Sequence, residues 1–332
     1  MGMMIDGVWE TDDGVWASKK DGQFHRAQSQ FRCRIGDDCF PVEPDRYHLY
    51  VSLACPWAHR TLIFRKLKDL EKIIPVTIVH PHMLDQGWQF AEPEPLYGFT
   101  HAHQLYALAD PHFSGRVTVP ILWDKKSQTI VCNESAEMIR IFNSAFNALT
   151  GNGDDYYPAE LRAEIDEINA FVYDNINNGV YQCGFATTQD AYESAFDHLF
   201  AALDTVESRL ADQHYLVGKQ ITEADWRLFT TLIRFDAVYF GHFKCNRNRI
   251  ADMPNLSGYL RDLYQQPGIA DTVDFDHIKQ HYYFSHESIN PTRIVPKGPA
   301  LDFDFTHQDN LAHQDNLAHQ NNLAHHRDRC SS

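Results

Sequence analysis

The sequence predicts an α/β unit followed by an all-α unit, and three observations carry that expectation. Up to about residue 150 the patterns run strand, helix, strand, long connection, two strands, helix. A break rich in Gly, Asn and Asp, "GNGDDYYPAE" at 151–160, then interrupts the chain. Beyond it the apolar residues recur at helical spacing through "LRAEIDEINAFVYDNI", "AYESAFDHLFAALDTVESRL" and "TEADWRLFTTLIRFDAVYF". The boundaries that follow are an N-terminal extension over 1–45, an α/β domain over 46–150, an all-α domain over 151–300 and a low-complexity tail over 301–332.

The first strand is "RYHLYVSLA" at 46–54, rich in β-formers, and the helix after it is "WAHRTLIFRKLKDL" at 57–70, with Leu62, Ile63 and Leu67 on one face. "PVTIVH" at 75–80 is the second strand. From 81 to 116 Pro, Gly and aromatics predict a long connection, and a connection of that length in a compact domain is usually functional. "VTVPILWD" and "QTIVCN" at 128–133 form a hairpin across "DKKS", after which Asn133 is expected to cap a helix over "ESAEMIRIFNSAF", with Glu134 in its first turn. Parallel strands joined by a helix, then an antiparallel hairpin and a helix, is the thioredoxin-like arrangement. In the second unit, Thr222 is expected as an N-cap with Asp225 at the third helical position, a capping box with Asp in place of Glu.

Composition excludes several classes of function. The 332 residues carry 29 Lys plus Arg against 45 Asp plus Glu, a formal charge of −16, which on balance repels a phosphate backbone. Nucleic acid is not expected as a partner. No window approaches the roughly 18 apolar residues of a membrane span, and the N-terminal residues lack a signal-peptide pattern, so a soluble, cytoplasmic protein without a membrane partner is expected. Seven widely spaced cysteines without a C-x-x-C pair argue for reduced thiols, and nineteen histidines include no H-E-x-x-H, so no metal is expected. The tail repeats "HQDNLAHQDNLAHQNNLAHH" at 307–326 are too polar to build a core and are expected to be disordered.

Cys55 stands between the first strand and its helix in "SLACPWAHR". A cysteine there meets unpaired backbone N–H groups and the positive end of the helix dipole, which lowers a thiol below its free value of about 8.5. Pro56 suits the first helical turn, since it loses no needed hydrogen bond. Position alone admits two readings of Cys55, a nucleophile or a small buried apolar residue. No second cysteine lies two residues along, so any oxidised state must pair with an external thiol, and glutathione is the obvious small one. In a thioredoxin-like fold Pro120 of "TVPIL" is expected to be cis, turning the backbone of Val119 toward the sulfur. Glu134 and Ser135, at a helix start, can receive an ammonium and a carboxylate, the two groups of a γ-glutamyl moiety, although "ES" before a helix is also a common cap.

Taken together, "SLACPWAHR", "GWQF", "RVTVPILWD", "NESAEMIR", "GVYQCGFATTQDAYE", "RFDAVYFGHFKCN" and "HIKQHYYFSH" resemble the Xi-class glutathione transferases, the glutathionyl-hydroquinone reductases. The resemblance runs in order over roughly residues 20–300. It implies a thioredoxin-like N-terminal domain, a C-terminal all-helical glutathione-transferase domain and a homodimer. It implies glutathione as co-substrate, with no bound cofactor, and a glutathionyl-hydroquinone as substrate. Cys55 would attack the thioether sulfur, form a mixed disulfide with glutathione, and be released by a second glutathione. The implied glutathione site comprises Trp88, Arg116, Val117, Thr118, Val119, Glu134 and Ser135. Tyr181 would transfer the proton, while Tyr239 and Tyr282 would hold the quinol oxygen or tune the thiol, with Tyr283 beside Tyr282 as a competing assignment. The other readings of the same residues are an Omega-like thioltransferase or dehydroascorbate reductase, a conjugating transferase, and a non-catalytic glutathione-binding regulator. The stretch 81–115 is expected to be a flexible cover over the site.

Overall fold

The computed structural model describes residues 2–11 and 21–303. The repeat tail and Cys330 lie outside the described residues. The chain opens with a two-stranded antiparallel hairpin, β1 (Met3–Ile5) and β2 (Val8–Glu10). Its turn places Asp6 and Gly7 at φ of 48° and 77°, the pair of left-handed residues that a two-residue hairpin loop demands. A Cβ on Gly7 would stand 1.9 Å from the Pro111 carbonyl oxygen, so glycine is required there on both counts.

The central sheet has the expected connectivity. β3 (Tyr47–Val51) pairs in parallel with β4 (Val76–Ile78) through the crossover helix α1 (Pro56–Leu67). The long connection contains a helix of its own, α2 (Ala102–Ala109), which the sequence reading did not separate from the loop. β5 (Ile121–Asp124) then pairs antiparallel with β3, and β6 (Thr129–Cys132) antiparallel with β5, giving the order β4-β3-β5-β6. Helix α3 (Ser135–Ser144) and the single turn α4 (Asn147–Thr150) close the unit.

All four strands are shorter than expected, two of them for clear local reasons. β3 stops at Val51 because Ser52 turns the chain, its hydroxyl accepting from Ala54 N at 3.2 Å and its carbonyl from Cys55 N at 3.2 Å. β5 begins only at Ile121, because Pro120 has no N–H to give a ladder; the Val119–Pro120 peptide is cis, as expected. The stretch 81–115, expected to be a flexible cover over the site, gives Met83, Gly87 and Trp88 to the cavity wall and is braced by a carboxylate. Glu94 is buried and accepts from the backbone N–H groups of Leu96, Tyr97 and Phe99 and from the Tyr50 hydroxyl.

The second half is helical, as expected: α5 (Arg162–Val172), α6 (Gly179–Gly184), α7 (Gln189–Asp212), α8 (Glu223–Arg234), α9 (Pro254–Tyr264) and α10 (Phe275–Ser285). Single π-helical turns follow α5 (Tyr173–Asn177) and α8 (Phe235–Tyr239), a distortion often found near functional sites. The expected capping box starts α8, with Thr222 Oγ1 accepting from Ala224 N and Asp225 accepting from Thr222 N. Every residue of α8 is buried, so it is the core helix of the bundle, and it packs against α1 of the sheet unit.

Candidate active site

Cys55 is the N-cap of α1, extended at φ −73° and ψ 119°, with Pro56 opening the helix. Its sulfur accepts from Ala58 N at 3.5 Å and its thiol donates to the Val119 carbonyl at 3.4 Å, so the sulfur lies at the helix start and beside the cis-proline turn. The charge balance differs from the expectation of a lowered thiol. Burial pushes the Cys55 thiol up from its ordinary value and outweighs the Ala58 N–H, Arg234, the Trp57 N–H and Arg26, which pull it down. The sequence reading weighed only the helix start.

Cys55 sits in a cavity of about 530 Å³ between the two units. On the sheet side its wall is the run Arg116, Val117, Thr118, Val119 and Pro120, followed by Glu134 and Ser135 at the start of α3, with Trp88 from the long connection. Burial brings the Arg116 guanidinium down to about 10, which is still charged at neutral pH. Glu134 itself is the N-cap of α3, accepting from Ala136 N at 3.0 Å. Asn133, expected as the cap, is used elsewhere: Oδ1 accepts from Phe31 N at 3.2 Å and Nδ2 donates to the Tyr106 hydroxyl at 3.0 Å. Tyr106 in turn donates to the Thr118 carbonyl at 2.9 Å, joining the two backbone stretches that flank the cavity. Trp88 stacks on His281 at 4.8 Å between ring centroids.

On the helical side, three hydroxyls form a chain. Tyr181 of α6 lies 2.7 Å from Tyr282 of α10, and Tyr282 lies 3.0 Å from Tyr239 in the π turn after α8. Tyr181 and Tyr282 line the cavity, whereas Tyr239 does not; it stands behind both, with its ring 6.1 Å from that of Tyr181 and its hydroxyl bonded to Tyr282. Tyr283 packs its ring against His242 at 4.7 Å and is not part of the wall, which leaves Tyr282 as the residue facing the site. Burial pushes all three phenols above their ordinary value, so each keeps its proton at neutral pH.

The sequence reading missed three contributors. Residues Arg26 to Ser29, assigned only to an extension, form part of the wall. Arg26 places its guanidinium 4.6 Å from the Trp57 ring centroid and 4.9 Å from that of Tyr181, and its Nε donates to Asn178 Oδ1 at 2.9 Å. Ser29 donates to Glu134 Oε2 at 3.1 Å. His286, beyond the end of α10, also faces the cavity and is held by His242 at 3.2 Å. A cluster of charged and aromatic residues in "QFHRAQSQFRCR" was the available signal for the first two; nothing local marked His286. Among the described residues no group of His, Cys, Asp and Glu could hold a metal ion.

A thioredoxin-like sheet with a cysteine at its first helix start, a cis-proline turn opposite the sulfur and a helical bundle closing the cleft is the organisation of a glutathione transferase. Family models bear this out: "Glutathione S-transferase, N-terminal domain" matches residues 54–145 and "Glutathione S-transferase, C-terminal domain" residues 189–262. The chain is 54% identical over 324 residues to glutathionyl-hydroquinone reductase YqjG of Escherichia coli K12, covering 92% of this chain and 98% of that one. It is 53% identical over 307 residues to glutathionyl-hydroquinone reductase PcpF of Sphingobium chlorophenolicum, covering 90% and 97%. The glutathione-bound structure of YqjG superposes with a TM-score of 0.84 at 52% identity over 92% of this chain and 98% of that one. The Xi glutathione transferase of Phanerochaete chrysosporium does so with a TM-score of 0.84 at 51% identity over 87% and 96%. The chain belongs to the glutathione S-transferase family, in its Xi class.

Proposed function

We propose that the chain reduces glutathionyl-hydroquinones to hydroquinones at the expense of glutathione, through Cys55. The activity is that named for YqjG and PcpF, and the single observation that carries the mechanism is one cavity holding a helix-start thiol and a chain of neutral tyrosine hydroxyls. The Cys55 thiolate attacks the thioether sulfur; the sulfur–ring bond breaks and its electron pair passes to the ring carbon. Tyr181 delivers a proton to that carbon, and Tyr282, itself backed by Tyr239, replaces it. The products are hydroquinone and a Cys55–glutathione disulfide. A second glutathione thiolate attacks that disulfide, leaving as oxidised glutathione and restoring Cys55 as thiolate.

The tripeptide is positioned by groups already in place. Val119 offers its backbone to the cysteinyl residue, Glu134 and Ser135 take the γ-glutamyl ammonium and carboxylate, and Arg116 and Trp88 contact the remaining length by charge and stacking. The aromatic hydroquinone then faces Tyr181, Tyr282 and the neighbouring rings. Two copies assemble in the working enzyme, which light scattering of the pure protein tests.

Intact-mass analysis after exposure to glutathionyl-hydroquinone without free glutathione tests the whole scheme. One glutathione adduct at Cys55 and one equivalent of free hydroquinone are expected, and neither in Cys55→Ala. An Omega-like thioltransferase uses the same cysteine without the tyrosine proton, so Tyr181→Phe must slow this reaction while sparing exchange with a small disulfide. Equal rates for Tyr181→Phe and the parent with glutathionyl-hydroquinone would sink the proton-transfer role.

A further inference from the structure

Arg234, the last residue of α8, is fully buried, and among the described residues no carboxylate is paired with it. Every hydrogen bond it makes ends on a neutral acceptor. Nε donates to the Ala54 carbonyl at 2.7 Å and Nη2 to the Leu53 carbonyl at 2.9 Å, a fork closed on the two residues before Cys55. Nη1 donates to the Thr230 carbonyl at 2.8 Å and to His59 Nδ1 at 2.9 Å.

The histidine cannot supply the missing negative charge. A guanidinium has no acceptor, so His59 Nδ1 must accept and its hydrogen sits on Nε2, which donates to Thr272 Oγ1 at 2.8 Å. Thr272 passes its own hydrogen to the Ile269 carbonyl at 2.7 Å, which completes the chain with every group neutral except the arginine. Burial and Arg234 together hold His59 well below its ordinary value, consistent with that tautomer.

A buried cation without a counter-ion is unfavourable unless something nearby becomes negative. Of the groups that carry or can carry charge, Arg234 from α8, Arg26 from the N-terminal segment and Tyr181 from α6 act on Cys55, while Arg116, Glu134, His281, Tyr282 and His286 line the same cavity. Arg26 is partly open to the cavity and screened accordingly; Arg234 is not. The π turn that follows Arg234 carries Tyr239, and α10 carries Tyr282, so the same guanidinium also faces the inner end of the hydroxyl chain.

We propose that Arg234 is the buried counter-charge of the reacting sulfur, fixing through Leu53 and Ala54 the turn that presents Cys55 and supplying the positive charge against which its thiolate forms. It acts through Cys55 and touches no substrate, so it is a positioning residue. It also ties the two units together at the point of reaction, with a helix of the bundle gripping the backbone of the sheet unit. This assignment rests on Cys55 being the reactive thiol and is independent of which quinol is used.

The test reads the thiol and not the turnover. The pH dependence of Cys55 alkylation by iodoacetamide, followed by intact mass, is measured in the parent protein, Arg234→Lys and Arg234→Gln. Arg234→Lys keeps the charge but loses the fork; its midpoint should stay close to that of the parent while turnover falls. Arg234→Gln should move the midpoint up by about one pH unit, making alkylation at pH 7 about tenfold slower. Equal midpoints in the parent and Arg234→Gln would overturn the proposal. If Arg234→Gln does not fold, Cys55→Asp and Cys55→Asn isolate the charge with Arg234 in place, because both are good N-caps. The aspartate variant should melt several degrees higher at pH 7, and an aspartate variant no more stable than the asparagine one would overturn the proposal.

Discussion

Tyr282 is the residue on which the hydroxyl chain depends. Its oxygen lies 2.7 Å from Tyr181 and 3.0 Å from Tyr239, and it is also part of the cavity wall. Tyr282→Phe therefore removes the hydroxyl nearest Tyr181 and leaves only Tyr239, behind the wall, to resupply its proton. Tyr239→Phe removes only the outer link and changes nothing the substrate touches. A general acid contributes about 10²–10⁴ in rate. We therefore expect Tyr282→Phe to lower kcat for glutathionyl-hydroquinone on the order of a hundredfold, with glutathione KM little changed, and Tyr239→Phe to lower it severalfold. A Tyr239→Phe loss as large as that of Tyr282→Phe would show that the outer hydroxyl acts directly. At this scale the sequence could nominate residue types but not their depth. Tyr239 and Tyr282 read alike along the chain, and only the packing of the π turn behind α10 separates wall from support. The sign of the Cys55 shift was illegible for the same reason: the helix start is a local feature, while the burial that opposes it comes from the other half of the chain.

Elements rather than single side chains set the geometry of the tripeptide. The turn before β5 and the start of α3 are separate in sequence, and Tyr106 of α2 joins them, with its hydroxyl donating to the Thr118 carbonyl and accepting from Asn133 Nδ2. The order β-α-β-β-α was readable because each strand and helix announces its own period and ends, and the capping box of α8 could be located to the residue. α2 was not, because its eight residues lie between loop stretches rich in Pro, Gly and aromatics, and too few turns are present to show a period. That unread helix is what makes the long connection a brace. Tyr106→Phe keeps the ring in its buried place but removes the hydroxyl that both stretches share, leaving an Asn133 donor and a Thr118 carbonyl unpaired. The cost is about 1–3 kcal/mol of stability. Because Val119 and Glu134 follow directly on the two freed positions, glutathione KM should rise severalfold with a smaller effect on kcat at saturation. A Tyr106→Phe variant that loses stability but keeps the parent KM would confine Tyr106 to the core.

The whole molecule is held together across its seam by polar groups, and that seam is where acid should open it. Arg234 binds the Leu53 and Ala54 carbonyls from the helical side, and Arg60 of α1 reaches Asn177 at 2.8 Å from the sheet side. Arg140 of α3 is paired with Glu223 of α8. Between these lie neutral histidines: His281 Nδ1 donates across the seam to the Pro81 carbonyl at 2.8 Å, which fixes its Nδ1–H form, and His277 lies 3.4 Å from Ser52. Burial lowers His281 to about 3, and His277 and His242 to about 4. In the unfolded chain each returns to about 6.5. Between those values the unfolded state binds more protons than the folded one, so stability rises with pH there: it is fully present above about 6.5 and is lost as pH falls toward 4. Each histidine accounts for a loss on the order of 1–3 kcal/mol by the acid end of that range. Melting temperature should accordingly hold steady between pH 7 and 8 and drop steeply below 6.5. His281→Asn, which keeps a donor for Pro81 without a basic ring, should flatten that drop. Because His281 also stacks on Trp88, the same variant should weaken glutathione binding, so the acid limb is read from thermal melts without ligand. A melting curve indifferent to pH between 6.5 and 4.5 would mean that the seam is not held by neutral histidines.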